Sequence, residues 1–245
     1  MPVGNAAAVW LIAMWLAWAA LLSGGLALGR AHPGEQRGVP TWARIGSSIA
    51  LVLASWGWFA AVRHGPAGGF ALLIALGMSL GLLGDLFMAS VLPFGQPTLG
   101  GIGAFALGHI AYCAAFLRLA ARVSLDAPLP RLLGWGVWLL IGLAGWYLAV
   151  YRGERPSPLH WAALPYSLLL ASTAGLATGI ALQNSAFVAT ALGGALFLFS
   201  DLLIAGRLFR ELRLRHLNDL IWLTYGPAQM LIVYSVWSAV RLLPN

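Results

Sequence analysis

Two aspartates stand where aspartates are costly. Asp85 lies in "GGFALLIALGMSLGLLGDLFMASVL", a run with no other charge, and Asp201 lies in "GALFLFSDLLIAG". A charge inside a membrane span costs at least ~2.5–3.5 kcal/mol on insertion scales, so such residues are functional candidates by default. Burial raises a carboxyl's pKa, and a second carboxylate nearby raises one of a pair further. Two carboxyls pushed apart in this way can divide acid and base work between them. His109, Tyr112, Tyr225 and Gln229 are the polar side chains expected to join them, and Asp219 sits at the entrance of a span.

These residues need elements that bring them to one depth. The chain has 245 residues, is 60% hydrophobic and is 9% charged, against about 25% charged in soluble domains. It reads as an all-α polytopic membrane bundle, one transmembrane domain over 1–245, with eight spans near 4–28, 45–62, 68–91, 99–121, 132–151, 160–182, 186–205 and 219–241. The runs are continuously apolar and do not alternate, which implies helices and not barrel strands. "RAHPGEQRGVPTWAR", "RHGPAGG", "LPFGQP", "DAPLPR" and "RGERPSP" supply the breaks between them. The first apolar run is too long for a signal peptide and has no basic leader, so it is expected to be a retained helix.

On this count helices three and seven run in the same direction, with Asp85 about six and Asp201 about five residues from the ends of their spans, roughly 7–9 Å deep. Helices four and eight enter from that same surface, so His109, Tyr225 and Gln229 reach depths of roughly 9–15 Å. Gly77, Gly81 and Gly84 lead to Asp85 at spacings that let helix backbones approach closely. Phe105, His109, Tyr112 and Phe116 share a face of helix four, with Phe105 and Phe116 read as packing. Tyr225 and Gln229 share a face of helix eight, and Asn218 and Asp219 are expected to cap that helix.

"LGDLFMAS" (83–90) echoes "FSDLLIAG" (199–206). The same offset pairs His109 with Tyr225 and Gly77 with Gly193, which predicts two parallel four-helix repeats, 1–125 and 126–245. The net charge of +7 comes from Arg without any Lys, and the arginines sit in short linkers. Anionic lipid headgroups are therefore the expected partner and nucleic acid is not. Nine arginines (30, 37, 44, 152, 155, 207, 210, 213, 215) fall on one side and five (63, 118, 122, 131, 241) on the other. That bias predicts an N-out/C-out protein of a bacterial inner membrane with its site in the cytoplasmic half. "GRLFRELRLRHLND" is expected to extend helix seven or lie on the headgroups.

Other chemistries lack their patterns. There is no nucleophile elbow, phosphate-binding glycine loop, paired-His metal helix or complete dinucleotide fingerprint. Ser200 is beside Asp201 and is counted with the binding residues, but a neighbour at i+1 faces elsewhere on a helix and is a poor nucleophile for that Asp. Cys113 is alone, so no intrachain disulfide forms.

The blocks "SLGLLGDLFMA…GGIGAFALGHIAYCAAF" and "GALFLFSDLLIAGRLF…LTYGPAQMLI" resemble the YhhN family of membrane proteins, which includes the lysoplasmalogenases. They cover helices three, four, seven and eight, about half the chain. Family members often carry a Lys-Pro pair near the start of helix two; here that region is "VPTWARIGSS", with Arg44 standing in. The resemblance implies cleavage of the vinyl ether of a lysophospholipid, giving a fatty aldehyde and a glycerophospho-alcohol. For that reaction the expected catalytic residues are Asp85, Asp201 and His109, the expected substrate contacts are Tyr112, Tyr225, Gln229, Ser200 and Arg44, and neither metal nor cofactor is expected. A vinyl ether is hydrolysed by protonation at carbon and capture of an oxocarbenium ion by water, a cation related to the one glycosidases handle with two carboxyls. The competing readings are a proton-coupled or lipid transporter using the same Asp pair, a non-catalytic lipid-binding protein, and a metal-dependent hydrolase built on Asp85, His109 and Asp201.

Overall fold

Proline and short polar breakers start the helices where the apolar runs begin. Pro97, Pro128 and Pro158 open three of them at positions whose N–H would have no helical partner anyway. The computed structural model describes residues 3–29, 38–93, 95–153 and 156–243. The helices are α1 (Asn5–Leu28), α2 (Thr41–Val62), α3 (Gly68–Met88), α4 (Pro97–Arg122), α5 (Pro128–Trp146), α6 (Pro158–Ala181), α7 (Val188–Phe209), α8 (Leu217–Val233) and α9 (Ser235–Leu242). A π turn, Tyr147–Tyr151, continues α5. Ser157 and His160 close a capping box at the start of α6.

Helices α1 to α7 are long and apolar enough to cross a membrane. The eighth predicted span, 219–241, is not one helix: it divides at Tyr234 into α8 and α9. An unbroken apolar run carries no sign of that break. Arg30, Arg37 and Arg155 of the charge count lie outside the described residues.

The outer surface is apolar, with Val9, Leu132, Leu140 and Leu192 all largely exposed. That is the arrangement a lipid-facing bundle requires, since each helix already satisfies its own backbone. Sequential helices pack on one another within 1–4 and within 5–8, and the halves join through α4 on α6 and α2 on α8.

The glycine stripe of α3 does more than bring backbones together. A Cβ at Gly77 would meet the Tyr112 ring at 2.4 Å, one at Gly81 would meet Gln229 Nε2 at 2.8 Å, and one at Gly84 would meet Phe105 at 2.7 Å. The stripe is a trough for side chains from α4 and α8. Gly77→Ala is therefore expected to destabilise the protein by about 1–3 kcal/mol, the usual penalty of overpacking. Gly103→Ala, whose Cβ would meet nothing within 4 Å, should be neutral or stabilising by up to about 1 kcal/mol through helix propensity. Thermal unfolding of both variants in detergent checks the contrast.

Candidate active site

Asp85 is three residues before the end of α3, and Asp201 eight before the end of α7. Along the helix axes these are roughly 5 Å and 12 Å, not the equal depths expected. The difference arises because α7 runs past its apolar stretch through Arg207 to Phe209, whereas α3 stops at Met88. Both carboxylates nevertheless line one cavity of about 700 Å³ at the end of the bundle where α1, α3 and α7 finish and α2 and α8 begin. Arg44, Met88, Phe105, Ile204, Arg207 and Tyr225 are among its other walls.

Asp85 is held by donors from two other helices. Ser48 Oγ of α2 donates to Oδ2 at 2.5 Å, and Tyr225 Oη of α8 donates to the same oxygen at 3.1 Å. Behind Tyr225 runs a chain of hydrogen bonds: Tyr112 Oη donates to Gln229 Oε1 at 2.8 Å, and Gln229 Nε2 donates to Tyr225 Oη at 3.1 Å. Every proton in the chain points toward the carboxylate. The small residues at 77 and 81 are what make space for it. A buried polar chain with each member satisfied is rigid, and it orients the group at its end.

Asp201 is held differently. Tyr166 Oη of α6 donates to its Oδ2 in a short hydrogen bond. Ser200 Oγ lies 3.3 Å from Oδ1, but its single proton also faces the Phe197 carbonyl at 3.1 Å, and Ser200 is fully buried and is not among the residues lining the cavity shared with Asp85. Asp201 borders a second opening, an apolar groove with about 80 Å³ of open space between α4, α5, α6 and α7. The groove and the larger cavity share Met88, Phe105, Asp201 and Ile204.

His109 stands behind this junction and lines neither opening. Its Nδ1 meets Thr173 Oγ1 at 2.9 Å, and Thr173 gives its own proton to the Leu169 carbonyl. The imidazole packs edge-on against Phe197, with centroids 4.5 Å apart, and against Tyr166 at 6.1 Å. Among the described residues no three His, Cys, Asp or Glu side chains gather as a metal site would need. Arg44 Nη2 donates to Thr41 Oγ1 at 2.9 Å, and its guanidinium lies 5.8 Å from the Trp222 ring centre.

Three expectations change. Phe105 is a wall of both openings as well as a packing residue. Asn218 and Asp219 do not cap α8: His216 holds that position, Asn218 accepts from Arg207 at 2.6 Å, and Asp219 pairs with His216 at 3.5 Å. Asp219 still lies in the first turn, where its charge complements the helix dipole. The basic stretch after α7 is divided, with Arg207 inside the helix and residues 210–216 outside it.

Sequence reasoning missed Ser48, Tyr166, Thr173 and Arg207 as site residues. Ser48 and Tyr166 carry no signal of their own in an apolar run. Arg207 does carry one, an arginine six residues after a buried aspartate, but its place after the apolar run makes it look like part of a linker.

Fold and site together define an integral membrane bundle with two carboxylates from separate helices sharing one cavity and an adjoining apolar groove. The chain matches the YhhN family over residues 42–236 and belongs to it. It is 33% identical over 174 residues to the lysoplasmalogenase TMEM86B of Sus scrofa, covering 69% of this chain and 69% of that protein. No solved structure matches the chain.

Proposed function

We propose that this protein hydrolyses the vinyl ether of lysoplasmalogens, with Asp201 as acid and Asp85 as base. The observation that carries the reading is the junction of a polar cavity with an apolar groove at Asp201, with Asp85 on the same cavity wall. An alkenyl chain entering the groove would bring its first two carbons past Asp201. The glycerol and its phosphate would stay in the wider, charged cavity.

Asp201 gives its proton to the second alkenyl carbon, and the ether oxygen stabilises the cation as an oxocarbenium ion. Asp85, fixed by Ser48 and Tyr225, takes a proton from water as that water bonds to the first carbon. The resulting hemiacetal collapses: its hydroxyl proton returns to Asp201, the glycerol oxygen takes the proton held by Asp85, and the carbon–oxygen bond breaks. One aldehyde and one glycerophospho-alcohol leave, and both carboxyls are reset. Tyr166, Tyr225, Gln229 and Tyr112 orient the carboxyls. His109 supports Tyr166 and Phe197 from behind as a positioning residue.

The repeat 1–125 and 126–245 belongs to the same proposal. The neighbour pairs of the first four helices have counterparts in the last four, and the two aspartates come from α3 and α7. The arginine bias supports a cavity that opens to the cytoplasm. Buried Met78 on α3 and Tyr112 and Phe116 on α4, farther along those helices from the cavity end than Asp85 and Phe105, weigh against a through-route for transport.

The test is aldehyde release. Purified protein in detergent or lipid should convert a 1-alkenyl lysophospholipid to aldehyde, and leave the matching saturated 1-alkyl ether intact. Turnover of both ethers, or of neither, would contradict the proposal.

A further inference from the structure

We infer that Arg44 and Arg207 form a two-arginine clamp for the phosphodiester of the lysolipid, and that this clamp sets which bond reaches the aspartates. The inference rests on the hydrolase reading for the identity of the lipid, but its evidence is separate.

Both guanidiniums line the cavity that holds the carboxylates, and Arg44 feels the charge of Asp85 as well as that of Arg207. Neither takes part in an ion pair among the described residues; those pairs join Arg213 to Glu211 and His216 to Asp219. Their hydrogen bonds go to neutral oxygens, of Thr41 for Arg44 and of Asn218 for Arg207. Arg44 Nε is buried without any partner. Buried N–H groups in folded proteins are almost always matched. Two guanidiniums on one cavity wall whose hydrogen bonds go to neutral oxygens, one with an unmatched donor, suit an anion with several oxygens. Arginine is the usual residue for phosphate because its fork presents paired donors.

The spacing also fits. Ser48 holds Asp85, and Arg44 lies four residues earlier on α2, one turn or about 6 Å nearer the cavity mouth. Arg207 follows Asp201 by six residues on α7, about 9 Å along the axis. In a lysoplasmalogen the phosphorus and the ether oxygen are separated by the phosphoester oxygen and the three glycerol carbons, roughly 6 Å by ordinary bond lengths. A phosphodiester between the arginines therefore leaves the vinyl ether level with the carboxylates, and the alkenyl chain at the mouth of the groove. A lipid without the phosphate has no such register.

Two non-hydrolysable probes test this on the full chain in detergent: 1-O-hexadecyl-glycerophosphocholine and 1-O-hexadecylglycerol, with binding followed by tryptophan fluorescence. Inorganic phosphate serves as a competitor. The phosphodiester probe should bind about ten-fold or more tighter than the alkylglycerol, with inorganic phosphate competing only weakly. Arg207→Gln and Arg44→Gln should each erase most of that difference and leave alkylglycerol binding unchanged. Arg207 is exposed on the end of α7, so its variant keeps the fold, and thermal unfolding verifies this for Arg44→Gln. The clamp is overturned if the folded variants bind the phosphodiester as wild type does, or lose both probes equally. It is also overturned if inorganic phosphate displaces the lipid as well as a lysophospholipid does, which would make this a site for free phosphate. Arginine-dependent binding without any aldehyde release would keep the clamp and sink the hydrolase reading instead.

Discussion

Asp201→Asn is expected to lower kcat for the proposed vinyl ether hydrolysis by about 10²–10⁴-fold, the usual contribution of a positioned acid or base. The substitution keeps the size of the side chain and removes the proton that must reach carbon. Tyr166 can still meet the amide oxygen, so the short contact that fixes the residue need not be lost. Asp85→Asn is expected to give a loss of similar size for a different reason. Its amide cannot take a proton from water, although Ser48 and Tyr225 still find an oxygen to bond. Since the two groups act in one cycle, the double variant should fall little below the weaker single one. Steady-state aldehyde release, with thermal unfolding as a check on the fold, measures all three. If the losses of the two variants multiply, the carboxyls act independently and the cycle is wrong.

Ala205→Phe should act on the chain and not on the chemistry. Ala205 borders the apolar groove together with Leu202 and Phe209, and the groove's 80 Å³ of open space leaves no slack for a ring. Each methylene kept from an apolar site forfeits about 0.8 kcal/mol, so displacing four amounts to about 3 kcal/mol. That is about a 100-fold loss in kcat/KM for a hexadecenyl substrate. A butenyl substrate, too short to use the groove, should lose almost nothing. Equal losses on both substrates would point to a damaged fold, and no loss on either would mean the chain lies elsewhere.

Much of the candidate site's geometry is legible in the residues, and the reasons are physical. Asp85 and Asp201 stood out because nothing else in their runs is charged, and a charge in an apolar span is rare. Tyr225 and Gln229 followed from helical spacing, and they do lie in one hydrogen-bond chain. Tyr166 was hidden because a tyrosine in an apolar run has many ordinary uses, and its partner is 35 residues away. The glycine stripe was visible, but its purpose was not: only the packed bundle reveals that the missing Cβ atoms leave room for Tyr112 and Gln229. Hydropathy alone does not show that α7 carries Arg207 inside its last turns or that the last span breaks at Tyr234.

The most direct measurement is hydrolysis of a 1-alkenyl lysophospholipid in D₂O, with mass analysis of the aldehyde. Protonation at carbon by an exchangeable acid predicts one deuterium on the carbon next to the carbonyl. It predicts rapid release by the wild-type protein and only background release by folded Asp85→Asn and Asp201→Asn. Full activity in both folded variants, or aldehyde carrying no deuterium, would contradict the account.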